Sequence, residues 1–212
     1  MLPFKLIYSD AYYLPLGEHV FPAEKYRLIQ EQLLRSGIAA PDDFLTPAPA
    51  RDADMLLAHT PAWVTKLRNG TISAREEMML EVPYSPELVR AFWLAAGGSI
   101  LAAQCALRDR VGISIGGGFH HAFADHGEGF CMINDIAIAI RKLQHEGSIA
   151  RAMTVDCDVH QGNGTAAIFA ASNGGAAFSF GGMGARDFAG FESDVFTISL
   201  MQRGTRCVAR QD

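Results

Sequence analysis

Two short apolar runs constrain the architecture of this chain more than any other feature. Val111–Ile115 and Ala150–Val155 flank a helical stretch marked by Ile136, Ile138, Ala139, Ile140 and Leu143. Asn134 or Asp135 is its cap and Gly147 its stop signal. Strand, helix and strand in this order make a βαβ unit. Its strands should run parallel, joined by a right-handed crossover. The fold class is therefore α/β, a parallel β-sheet flanked by helices. The first strand and the helix are joined by a long stretch, Gly116 to about Asn134. Loops in compact domains usually run about 4–6 residues, so this one asks for a functional reason.

The rest of the 212 residues fits one sizeable domain. Phe4–Tyr8 reads as a short buried strand. Helical spacing runs from about Ala23 to Arg35, and again around Met55–His59 and Ala62–Arg68, with Gly37 and Gly70 as stops. A long apolar helix spans Ser85 to about Arg108, with Ser85 as cap and Pro86 in the first turn. Gly97 and Gly98 inside it mark close packing or a bend. A short helix is expected over Thr165–Ala171, and Val195–Leu200 is again a strand. Residues 172–192 are rich in Gly and Ala with little hydrophobic period, and 201–212 form a polar tail with Arg203, Arg206 and Arg210.

Composition narrows the class. With 49% hydrophobic and 19% charged residues the chain is globular rather than disordered. A net charge of −5 argues against general nucleic-acid binding. No stretch reads as about 18 consecutive apolar residues, so no membrane span is expected. Met1–Tyr8 is one short apolar run with a single Lys5, without a basic n-region, long apolar region and cleavage site in sequence, so no signal peptide is expected. The four cysteines, Cys105, Cys131, Cys157 and Cys207, are scattered without a CxxC pair. That suits a reducing compartment, and the expected location is cytoplasmic.

Three motifs carry chemistry. In Asp156-Cys157-Asp158-Val159-His160 strand alternation would send Asp156, Asp158 and His160 to one face. Burying two carboxylates and an imidazole unpaired is costly, and a bound cation would remove that cost. Carboxylate and neutral imidazole suit Zn²⁺ or Fe²⁺; the bland reading is a solvated strand end. The second motif, Gly116-Gly117-Gly118-Phe119-His120-His121, follows the preceding strand. Parallel strands put their C-terminal ends on one sheet edge, so the histidine pair should converge on Asp158 and His160. The third, Gly127-Glu128-Gly129-Phe130-Cys131-Met132-Ile133-Asn134, reads either as the wall of a substrate slot or as a flexible connection with Phe130 on the core. Cys131 with His120 or His121 as base would make a cysteine hydrolase, a reading that leaves Asp156, Asp158 and His160 unexplained.

GGGFHHA, GEGFCMIND and VDCDVHQGNGT, in this order and spacing, resemble the zinc-dependent histone deacetylase family of the arginase/deacetylase superfamily. Within the family the chain looks most like the class IV-like and bacterial members. His19-Val20-Phe21-Pro22, Leu57-Ala58-His59-Thr60-Pro61 and the start of the long helix fit as well. The resemblance covers roughly residues 4 to 171 and implies a single deacetylase-like domain over 1–212. It implies Asp158 and His160 as two of three protein ligands of a catalytic Zn²⁺, with Fe²⁺ as the alternative. It also implies His120 and His121 as the pair flanking the reactive water, one as base and acid, the other as electrostatic partner or proton donor. Asp156 would orient His120, and Asn163 would stand behind His121. Gly129 and Phe130 would wall an acyl-lysine tunnel. A structural K⁺ would be held largely by carbonyls of Asp156, Asp158, His160, Ser199 and Leu200. The substrate would be an acyl-lysine protein or a small acylated amine.

The resemblance leaves two parts unmatched. The third ligand, an Asp well beyond the aspartate–histidine motif, has no counterpart, although Asp187 or Asp194 could stand in. The oxyanion Tyr has none either, since Tyr8, Tyr12, Tyr13, Tyr26 and Tyr84 all precede the motifs. The 172–192 segment reads as an atypical insertion. The alternatives to an active hydrolase are a truncated copy, a site completed by a second chain or self-association, and an acyl-lysine-binding protein without an assembled metal site.

Overall fold

The computed structural model describes residues 1–14, 16–170, 176–180 and 195–200. Every strand pairing in it is parallel. Strand β1 (Lys5–Ile7) lies between β2 (Phe44–Leu45) and β3 (Gly112–Ser114). Strand β6 (Val195–Leu200) lies between β4 (Ala152–Asp156) and β5 (Ala176–Phe180). Around these strands run α1 (Lys25–Arg35), α2 (Asp52–Met55), α3 (Pro61–Asn69), α4 (Ala74–Leu80), α5 (Pro86–Asp109), α6 (Asp135–His145) and α7 (Asn163–Ala170). This is the parallel α/β arrangement expected.

Helix α5 is the spine. Ser85 Oγ accepts the Leu88 N–H at 3.0 Å, and Pro86 fills a first-turn position where no N–H is needed. Its length and composition would let it cross a membrane, yet 72% of its most apolar window is buried against the rest of the chain. Leu88, Phe92, Trp93, Ala96 and Ile100 are all in the core, with α6, β1 and β3 packed against the helix. Residues 91–100 are buried on every side, which explains why this part of the helix lacks a polar face. A second tie is electrostatic: Lys142 Nζ of α6 lies 3.1 Å from Asp54 Oδ1 of α2, and Arg51 grips the same carboxylate.

Three features go beyond the sequence reading. Strands β3 and β4 are not hydrogen-bonded neighbours; they belong to different three-stranded groups. A crossover helix fixes direction and hand, not adjacency. Within 172–192, Ala176–Phe180 forms strand β5, in register with Phe196–Leu200. Parallel pairing is made by the backbone, so a segment weak in hydrophobic period can still take part. Finally, α4 starts at an unread signal: Ser73 and Glu76 form a capping box, each satisfying the other's backbone N–H. The remaining residues of 172–192, and 201–212, lie outside the described residues. Ile113, Met153 and Val155 are 41%, 61% and 56% exposed, although parallel strands usually bury both faces.

Gly97 of α5 is a packing requirement. A Cβ there would run into the Ala48 carbonyl, and Ala50 N–H donates to Trp93 O at 2.9 Å, which ties that loop to the helix. Alanine in a helix interior normally gains about 0.5–1 kcal/mol over glycine. Here overpacking dominates, so Gly97→Ala is expected to lose about 2 kcal/mol, read as a lower denaturant midpoint at unchanged slope. A gain in stability would mean that the loop does not rest on the helix.

Candidate active site

The histidine pair is placed by a buried carboxylate. Asp135, at the start of α6, is fully buried. Its oxygens accept from Ser99 Oγ of α5 at 2.5 Å, Gly118 N at 3.0 Å and Phe119 N at 2.8 Å. Burial pushes the Asp135 carboxyl upward, and these donors work against that shift. Gly117 and Gly118 have φ of +114° and +84°, and a Cβ on Gly117 would strike the Asp135 carboxylate. Only glycine turns here without strain. The turn leaves His120 and His121 with ring centroids 4.1 Å apart. The first turn of α7 closes behind them, Thr165 N–H donating to His120 O at 3.0 Å.

Each histidine has an acceptor at Nδ1. For His120 it is Asp156 Oδ2 at 2.6 Å; for His121 it is Asn163 Oδ1 at 2.7 Å. A carboxylate only accepts, so His120 carries its proton on Nδ1 and turns Nε2 toward Asp158 Oδ1, 3.9 Å away. Burial opposes the Asp156 charge, yet the His120 ring and the Asp158 N–H hold its carboxyl below the ordinary carboxylate range. Burial pushes His121 down, helped by the neighbouring His120 and His160 rings; the Asn163 bond offsets part of this.

Asp158 and His160 do reach this site, but not by strand alternation. Strand β4 ends at Asp156. From there Asp158 N–H donates to Asp156 Oδ1 at 3.0 Å, and His160 N–H to Asp158 Oδ1 at 2.8 Å. Two successive Asp side-chain turns curl the chain and bring the three groups together. Asp158 Oδ1 and His160 Nδ1 are 3.2 Å apart, both half-exposed, with the His160 ring edge-on to His121 at 5.8 Å. One carboxylate and one imidazole at the mouth of a turn suit two positions of a zinc centre. Among the described residues no group of three or more His, Cys, Asp or Glu is arranged so that all of them could hold one metal ion. Asp187 and Asp194 lie outside the described residues. Register sets Ser199 opposite Asp156, so the backbone of Ser199–Leu200 continues at the same strand end.

The Gly127–Asn134 segment forms a wall beside the histidines. A Cβ on Gly129 would lie 2.8 Å from His121 Cδ2. Phe130 takes φ +68°, and its ring meets His19 and Phe21 at 5.0 and 6.1 Å between centroids. Its N–H donates to Leu80 O at 2.9 Å. Phe130 is partly exposed and packs against the core. Cys131 points away from nucleophilic chemistry. It is buried, and burial pushes its thiol up to about 12, where thiolate is scarce at neutral pH. Sequence reasoning gave no role to His19 or Glu128, and offered Asp135 only as an alternative helix cap, the position Asn134 takes. His19 Nε2 donates to Glu81 O, Asp135 anchors the turn, and Glu128 bonds Asn163.

A family profile described as histone deacetylase domain matches residues 19–206. An uncharacterised protein of Picosynechococcus is 40% identical over 167 residues, 78% of this chain and 56% of its own length. A probable deacetylase of Methanothermobacter thermautotrophicus is 34% identical, over 77% of this chain and 50% of its own. Histone deacetylase 2 of Arabidopsis thaliana is 31% identical, over 75% and 44%. The crystal structure of a histone deacetylase homologue from Aquifex aeolicus superposes with a TM-score of 0.70 at 22% identity. It covers 93% of this chain and 50% of that one. The chain spans about half the length of the relatives it matches.

The site rests on a histidine that must stay neutral. His59 is buried, and its Nε2 accepts the Asn134 N–H at 2.9 Å. Burial pushes its pKa down to about 4, against the backbone of Phe123 and Ala124. Unfolded, the ring takes a proton near pH 6.5; folded, only near 4. Stability is thus full above about pH 6.5 and falls by about 3 kcal/mol as pH drops to 4, because the unfolded state binds the proton first. In denaturation at stepped pH, His59→Gln should lack this acid limb. Parallel pH profiles for the two proteins would contradict the assignment.

Proposed function

The chain belongs to the histone deacetylase family, and from that premise we propose metal-dependent hydrolysis of an acylated amine. The amine is lysine in a protein or a small relative, and the acyl group is acetyl or longer. One observation carries the reading. Two adjacent imidazoles have their Nδ1 atoms occupied by Asp156 and Asn163, beside a carboxylate–imidazole pair that suits a metal.

Asp158 and His160 would hold Zn²⁺ or Fe²⁺ as two of its ligands. Such a metal supplies Lewis-acid activation of the amide and a more acidic water. The histidine pair then does the proton work. One ring removes the water proton through Nε2 and returns it to the departing amine; its neighbour stabilises charge or donates. Asp156 orients His120 and steadies its charged form. Gly129, without a Cβ, and Phe130 would line the path of the aliphatic stem. Carbonyls of Asp156, Asp158, His160, Ser199 and Leu200 would serve a structural K⁺. The net charge of −5 favours a cationic amine product over a polyanionic partner.

The test is acetate release from an acetyl-lysine peptide by the zinc-supplemented protein. Chelation should abolish turnover, His121→Ala should lower kcat at least about 100-fold, and Cys131→Ala should leave it unchanged. Loss in Cys131→Ala with indifference to chelation would replace this reading with a cysteine hydrolase. Peptide binding without turnover would replace it with an acyl-lysine-binding protein.

A further inference from the structure

We propose that Glu128, acting through Asn163, is the positioning residue that fixes which nitrogen of His121 carries the proton. Its catalytic meaning rests on the deacetylase reading; its geometry and its principal test do not.

The argument starts from a difference between the two histidines. His120 faces a carboxylate, which can only accept, so nothing further is needed to set its tautomer. His121 faces a primary amide, which accepts at one end and donates at the other. An Asn free to rotate by half a turn would meet His121 with Nδ2. That would demand a lone pair on Nδ1 and put the proton on Nε2, the wrong nitrogen for a base directed at the site.

Glu128 removes that freedom. Its Oε1 lies 2.5 Å from Asn163 Nδ2. A carboxylate has no proton to give, so the amide must present its NH₂ to Glu128 and its oxygen to His121. Gly164 N–H lies 3.0 Å from Asn163 Oδ1, a contact between neighbouring residues that favours the same orientation without fixing it. Oδ1 then requires a proton on His121 Nδ1, leaving Nε2 with the lone pair. Glu128 is held in turn by its loop, Cys131 N–H donating to Glu128 O at 2.9 Å. His126 Nε2 stands 3.9 Å from its second oxygen, and His126 Nδ1 is bonded to Asp125 at 2.8 Å. None of these hydrogen bonds joins Glu128 to His121; its charge also acts on that ring through space, but the orientation it imposes passes through the amide.

The tautomer is read directly from the imidazole nitrogen shifts of ¹⁵N-histidine-labelled full-length protein, assigned with His121→Gln. The parent should show His121 as a single Nδ1–H form. Glu128→Ala should lose that pattern for a mixture of tautomers, and Glu128→Gln, whose amide offers either end, should do the same in a side chain of the same shape. Adding Asn163→Asp to Glu128→Ala should restore the Nδ1–H form, because a carboxylate accepts in either orientation. An Nε2–H form in the parent, or an unchanged Nδ1–H signal in both Glu128 variants, overturns the proposal. The shifts need no turnover, so they stand apart from any failure of the hydrolase reading. Where turnover is present, Glu128→Ala should lower kcat about 10- to 100-fold at constant KM, and the double variant should recover it.

Discussion

The carboxylate of Asp135 is sealed from water and accepts donors from two segments, Ser99 on the central helix and the Gly118–Phe119 turn. It also opens α6, so three pieces of chain meet on one side chain. Without it, the buried Phe119 N–H and Ser99 hydroxyl would be unpaired, at about 1–3 kcal/mol each, and the Gly118 N–H would lose its acceptor. Its cost of burial is offset only when all three donors are in place. That requirement fixes the turn, and the turn fixes where His120 and His121 leave the sheet edge. Gly117 and Gly118 are consequences of the same contact, one because a Cβ would strike the carboxylate, both because φ is positive.

Much of this was legible in the residues. Ser85-Pro86, Gly70 and Asn134 announced helix ends by capping chemistry, and each acts as expected: Gly70 takes φ +67° and Asn134 accepts from Ala137 N–H at 3.0 Å. The adjacent histidines and the aspartate–histidine motif were legible as a site because titratable groups at the ends of apolar strands need partners. Their pairing with Asp156 and Asn163 followed from the family resemblance, and the geometry agrees with it.

What the residues did not disclose has physical reasons. Alternation placed Asp158 and His160 on a strand face, but side-chain turns end the strand at Asp156 and bring them in by curling. Glu128 sits between two glycines in a loop, where no periodicity marks an inward side chain; only the fold brings it to Asn163, thirty-five residues on. Strand adjacency was equally hidden, since β3 and β4 flank α6 in the chain yet belong to different three-stranded groups. The short β2 and β5 depend on backbone pairing rather than on pattern.

The central claim is that the turn from Asp156 to His160, faced by the anchored histidine pair, holds a metal. Metal content of the desalted protein after zinc loading tests it most directly. The account predicts about one zinc per chain, lost in both Asp158→Ala and His160→Ala while the fold persists. Retention of the metal in both variants, or none in the parent, would contradict it.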